Sequence, residues 1–161
     1  MTLHVLFVVA DVTYALPVEN ILQMESFMGA TRVPGTRDYV IGVATVRGKV
    51  VPVIDLRLRF GLPAVPPTLD TRLIVTEVGG RVIALLVDSA REVVPLDPSQ
   101  NQPAPEMVGE RSAGLVRGMH AQGPRLLLLL DLPKVLSERA YDHDPIAFLD
   151  DETQHRPALP G

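Results

Sequence analysis

The chain has 161 residues, 47% of them apolar, 21% charged and only 4% aromatic, with fifteen prolines, twelve glycines and no cysteine. This is the composition of a soluble globular protein of one compact domain or two very small ones, long enough to bury a core without disulfides or cysteine-ligated zinc. A formal net charge of −4 argues against a phosphate-neutralising surface, so no nucleic acid is expected, and the missing thiols point to an ordinary reducing cytoplasm.

In chain order, residues 3–9 open a strand-length apolar run that lacks a basic leader and meets Asp11, so it reads as a strand and not as a signal peptide. Residues 50–56, 73–78, 82–87 and 126–132 are similar runs of Val, Leu and Ile closed by Gly, Pro or Asp. None approaches the roughly 20 residues a bilayer demands, so no membrane insertion is expected. Gly79-Gly80 signals a two-residue hairpin, because both central residues of that turn need positive φ. Asp11-Val12-Thr13 occupies the corresponding place early in the chain.

That correspondence extends into an internal repeat. Residues 6–24 match residues 75–93 at a constant offset of 69, as in Ala15 and Ala84. Residues 40–56 match residues 116–132 at an offset of 76, as in Gly42 with Gly118 and Asp55 with Asp131. The added residues of the second copy fall where Pro95, Pro98, Pro103 and Pro105 predict a loop. The expected organisation is one domain over residues 1–140, with approximate halves 1–68 and 69–140 between which strands can cross, and an acidic, flexible tail over residues 141–161. Helix signals are few. Asp131 with Pro133 predicts a short helix over residues 131–139, and residues 54–61 could hold a single turn.

Matching aspartates in a duplicated β-protein raise an aspartic-protease dyad, Asp55 with Asp131. Such a dyad needs a small residue and a glycine after each Asp, whereas Leu56-Arg57 and Leu132-Pro133 follow here, so caps at strand ends are the favoured alternative. His4, His120, His143 and His155 are scattered, and no metal site is expected even at Asp142-His143-Asp144. Phosphate-binding glycine motifs and a nucleophile elbow are absent, and Ser112 and Ser137 stand in ordinary settings. A double-barrel module for some other protein or a proline-rich peptide is a further reading, against which the scarcity of aromatic residues counts.

One segment remains, Val40-Ile41-Gly42-Val43-Ala44-Thr45-Val46-Arg47-Gly48-Lys49-Val50-Val51-Pro52-Val53-Ile54-Asp55-Leu56-Arg57. On local grounds Gly42 marks a bulge and Arg47-Gly48 a hairpin turn. The segment resembles the signature of the CheW family of bacterial chemotaxis adaptors, and Pro34-Gly35-Thr36-Arg37-Asp38-Tyr39, residues 82–88 and Pro103-Ala104-Pro105-Glu106 extend the likeness in order. The resemblance implies an all-β fold of two five-stranded SH3-like barrels around a shared core, with one or two short helices. It also implies no catalytic activity, no cofactor, and two partners: the cytoplasmic tip of a methyl-accepting chemoreceptor and the regulatory domain of a CheA-type histidine kinase. Ile21, Gln23, Gly42, Arg47 and Gly48, with Leu22 and Met24 beside them, would face the receptor. Gln102 and Met107 would stand at a kinase contact, where the family often has an arginine and a phenylalanine. Thr45-Val46 before Arg47 and Gln23 are further departures from the family pattern.

Overall fold

The computed structural model describes residues 1–104 and 114–136. Ten strands follow in order: β1 (Thr2–Val9), β2 (Val12–Pro17), β3 (Ile21–Ser26), β4 (Val40–Val46), β5 (Lys49–Asp55), β6 (Arg72–Val78), β7 (Arg81–Val87), β8 (Ser89–Leu96), β9 (Val116–Gln122) and β10 (Arg125–Leu130). One-turn helices α1 (Leu56–Arg59) and α2 (Leu132–Val135) follow β5 and β10. The strands form two five-stranded sheets: sheet A in the order β8-β1-β2-β10-β9 and sheet B in the order β3-β6-β7-β5-β4. This is the all-β, duplicated, double-barrel class expected from the sequence.

Neither sheet is one half of the chain. Sheet A takes β1 and β2 from residues 1–68 and β8 to β10 from residues 69–140, while sheet B takes the complement. The repeat is nevertheless intact inside this exchange, because shifting each strand number by five, up for β1 and β2 and down for β8 to β10, turns the order of sheet A into that of sheet B. Both sheets contain one parallel pair, with Leu129 beside Ala15 in sheet A and Val53 beside Ala84 in sheet B. Those four positions are related by the sequence offsets of 76 and 69.

The exchange explains why the strands read as unbroken apolar runs. Alternate residues of a strand point to opposite faces, and here both faces are covered. In sheet B, Val53, Leu73, Val75 and Ala84 fill the sheet's own interior, while their neighbours Ile54, Ile74, Ile83 and Leu85 enter a core shared between the sheets. In sheet A, Leu6, Ala15, Leu127 and Leu129 face inward, and Phe7, Tyr14, Leu16, Leu128 and Leu130 join the shared core. Burying each such Leu or Ile contributes about 1.5–3 kcal/mol, so the shared layer makes the barrels stabilise each other. Tyr14 stacks on Phe7 and Phe60 with ring centroids 5.7 and 5.1 Å away, and burial pushes its hydroxyl up to about 12. Thr76, the fully buried hydroxyl of β6, donates to the Ile83 carbonyl at 2.8 Å.

Two local expectations shift. Pro95 lies within β8 and not in a loop; β8 is an edge strand, where a missing N–H breaks no ladder. The first hairpin turns at Ala10-Asp11, with φ of 51° and 66°, which are the repeat mates of Gly79 and Gly80. The predicted helix begins as expected, with Asp131 accepting from the Lys134 N–H at 3.2 Å. Its last residues, the acidic tail, Met107, His143 and His155 lie outside the described residues.

Candidate functional site

Strand β3 lies at one end of sheet B's hydrogen-bonded order and β4 at the other. Two contacts bring the ends together. Thr31, just beyond β3, pairs with Val43 of β4 through reciprocal 2.8 Å hydrogen bonds, and Arg47 at the β4–β5 tip reaches Glu25 of β3 with Nε 3.7 Å from Oε1. The tip is a two-residue turn with φ of 49° at Arg47 and 80° at Gly48. Arg47 therefore holds a left-handed conformation that a non-glycine residue rarely adopts, with its guanidinium mostly in solvent.

β3 sorts its side chains by the period of the strand. Ile21, Gln23 and Glu25 are half-buried, and Ile21 packs on the shared core. Leu22, Met24 and Ser26 point outward, and the alternation continues past the strand, with Phe27 against the sheet-B interior and Met28 in solvent. Leu22 is also the extra residue of a β-bulge, since Ile21 faces Thr76 and Gln23 faces Val75. The result is an exposed apolar row, Leu22 at 53%, Met24 at 39% and Met28 at 91% exposure, one strand away from the Arg47-Gly48 tip.

Of the receptor-facing residues expected from sequence, Arg47 and Gly48 are at the surface beside β3, whereas Ile21 and Gln23 turn partly inward and yield the outer face to Leu22 and Met24. Gly42 is buried. Its φ is 140°, and a Cβ there would lie 2.0 Å from the Thr31 carbonyl oxygen, so the residue seats the crossing of the 31–32 backbone over β4 and offers no contact surface. Gln102 lies against β9 of sheet A through a single isolated bridge. Its backbone exchanges hydrogen bonds of 2.8 and 2.9 Å with Met119 and passes over Gly118, leaving its side chain exposed. Sequence reasoning missed Glu25 as the partner of Arg47 and put all of residues 21–24 on one side; the period-two alternation of β3 was the available signal that separates Leu22 and Met24 from Ile21 and Gln23.

Asp55 and Asp131 cap different helices in matching ways. The Asp55 carboxylate accepts the Arg57 N–H at 2.9 Å, as Asp131 accepts that of Lys134. Burial raises the Asp55 carboxyl above its ordinary value, opposed by hydrogen bonds from the Arg57 and Leu58 N–H groups. His4 and His120 place Nδ1 at 2.9 Å from the Thr2 carbonyl and the Asn101 amide oxygen. Among the described residues no three His, Asp or Glu side chains gather as metal ligands.

Comparison with known proteins places this geometry. A family model described as a CheW-like domain matches residues 3–140. The chain is similar to the chemotaxis protein CheW of Helicobacter pylori, 35% identical over 132 residues that cover 82% of this chain and 79% of the relative. To the Bacillus subtilis chemotaxis protein CheW it is 34% identical over 84% of this chain and 87% of the relative. The crystal structure of the scaffolding protein TtCheW from Thermoanaerobacter tengcongensis superimposes with a TM-score of 0.78 at 27% identity, covering 87% of this chain and 90% of that one.

Proposed function

This chain belongs to the CheW-like domain family, and from that premise we propose that it is a non-enzymatic chemotaxis scaffold that couples methyl-accepting receptors to a CheA-type histidine kinase. The observation that carries the finer part is the surface of sheet B, where the exposed row Leu22, Met24 and Met28 stands beside the Arg47-Gly48 tip. An apolar row of this kind suits the stripe of an amphipathic receptor helix. The planar fork of Arg47 suits a carboxylate or a helix-end carbonyl at its border, and its loose contact with Glu25 is an exposed ion pair of small worth that a partner can replace. The kinase would meet a different surface, for which the exposed side chain of Gln102 on sheet A is the described candidate. The working place would be the cytoplasm at membrane receptor arrays; among the described residues no helix is long and apolar enough to cross a membrane.

Co-sedimentation with receptor signalling fragments and kinase tests the proposal, and a folded chain that binds neither would sink it. Arg47→Glu should weaken receptor binding by about tenfold while leaving the melting temperature within a few degrees, as expected for an exposed turn. A collapse in stability would assign Arg47 a structural role instead.

A further inference from the structure

The chain's sulfur chemistry is confined to methionine, since it has five Met and no Cys. Among the described residues these are unevenly placed. Met119 is half-buried and packs on the shared core, whereas Met24 and Met28 sit in the outward row of sheet B with Leu22. Met1 is exposed at the first position, away from that row. Among the described residues the matching strand of sheet A, β8, carries no sulfur: the repeat mate of Met24, at an offset of 69, is Val93. Among the described residues, and leaving aside the terminal Met1, exposed sulfur therefore lies in the sheet-B row and not at the matching strand of sheet A.

We propose that Met24 and Met28 are an oxidation site through which peroxide weakens docking at sheet B. The inference rests on the receptor-docking role proposed for that surface. In the step itself a thioether lone pair attacks a peroxide oxygen and the O–O bond breaks. Sulfur gains one oxygen as the sulfoxide, and hydrogen peroxide is reduced to water. The apolar, flexible side chain becomes a polar one with a strong acceptor. Covering it with a partner's apolar stripe would then strip water from a group left without a donor. The fold should be indifferent, because neither side chain belongs to a buried core. A sulfoxide reductase drawing electrons from a thiol pair reverses the change.

The test treats the full chain with hydrogen peroxide, locates sulfoxides by peptide mass spectrometry, and measures affinity for a receptor signalling fragment before and after. Sulfoxide should form at Met24 and Met28 ahead of Met119, the melting temperature should hold, and affinity should fall about fivefold or more. Enzymatic reduction should restore it. In Met24→Leu/Met28→Leu, whatever its own affinity, the ratio of treated to untreated binding should stay near one. Full oxidation of both residues with unchanged binding overturns the proposal, as does a loss that persists in the double variant or tracks Met119 and unfolding. Absence of binding by the untreated chain overturns the docking role beneath it, a failure distinct from docking that peroxide leaves intact.

Discussion

Each sheet carries two β-bulges, and the backbone places them at matching positions. In sheet B the extra residues are Leu22 of β3 and Ile41 of β4; in sheet A they are Arg91 of β8 and Arg117 of β9. The geometry of the repeat is retained while the bulge residue differs: Leu22 is exposed and Ile41 packs on the sheet-B interior, whereas Arg91 and Arg117 are both basic and exposed. Arg91 is held in an ion pair with Asp70 of the inter-repeat segment, and Leu22 has no counterpart of that tie. A bulge re-aims a side chain without asking for a particular one, so the two barrels keep one scaffold and present different surfaces. Sheet B exposes the row of Leu22, Met24 and Met28, where sheet A exposes Leu3, Val93 and Leu126 on three different strands.

The crossing glycines break this comparison most severely. Both sheets pass a segment over the strand after the bulge, but a Cβ on Gly42 would lie 2.0 Å from the Thr31 carbonyl oxygen at a φ of 140°, whereas on Gly118 the distance to the Gln102 oxygen is 2.8 Å. The obstacles are backbone and cannot swing aside. Gly42→Ala should cost about 3 kcal/mol or more, through a clash and a strained φ together, and Gly118→Ala about 1–2 kcal/mol. Urea unfolding of both variants checks it; equal losses would mean that the two crossings are one structure after all.

The repeat, both helix caps and the hairpin tip at Arg47 were legible because each leaves a local mark: an offset, an Asp before a helical turn, a residue followed by glycine. That strands can cross between the halves was expected, but which ones was not legible, since β1 and β2 carry the same apolar pattern whichever sheet they join, and partner choice is a non-local property. The outward face of β3 was half legible. Its alternation is plain, yet the family likeness drew Ile21 and Gln23 into the site, and the bulge at Leu22 exists only once β6 is in register beside it. Gly42 was marked by the sequence as a bulge and by the likeness as a contact; the structure places a bulge at Ile41-Gly42 and seats Thr31 on the glycine.

The junctions between the sheets differ by one ion pair. Arg57 of α1 donates to Asp88 from Nε at 3.0 Å and from Nη2 at 2.7 Å, and Asp88 also accepts the Ala10 N–H at 2.8 Å. The repeat mates are Pro133 and Glu19, which cannot form it. Burial pushes the Asp88 carboxyl upward, but the hydrogen bonds from Arg57 and Ala10 outweigh it and hold the group below its ordinary 3.8. A carboxyl depressed in the folded state supplies stability that is complete above the unfolded value and disappears as pH falls through the folded one. Asp88→Asn should therefore cost about 2 kcal/mol at neutral pH, and the gap between native and variant should close as pH falls below the ordinary carboxylate value and through the depressed folded one. Asp55, raised by burial and to a lesser degree by the Asp88 charge, titrates in the opposite sense and enters the difference only through that lesser contribution. A gap that is flat with pH would locate the loss in packing and not in charge.

The smallest effect belongs to the paired hairpin turns, where the same left-handed backbone is built from Ala10-Asp11 in sheet A and from Gly79-Gly80 in sheet B. A side chain in that conformation costs about 1–2 kcal/mol, while glycine costs roughly 0.5–1 kcal/mol in the extra freedom it gives the unfolded chain. The difference favours glycine by about 0.5–1 kcal/mol at either turn. Ala10→Gly should stabilise by that amount and Gly79→Ala should destabilise by the same, read as opposite shifts of the urea midpoint at constant slope. The Ala10 N–H to Asp88 bond is a main-chain contact and survives both changes, so it does not disturb the symmetry of the pair. If Ala10→Gly instead destabilised the chain, the alanine methyl would have to be making apolar contacts on the shared core worth more than its strain, and the two turns would be equivalent in backbone alone.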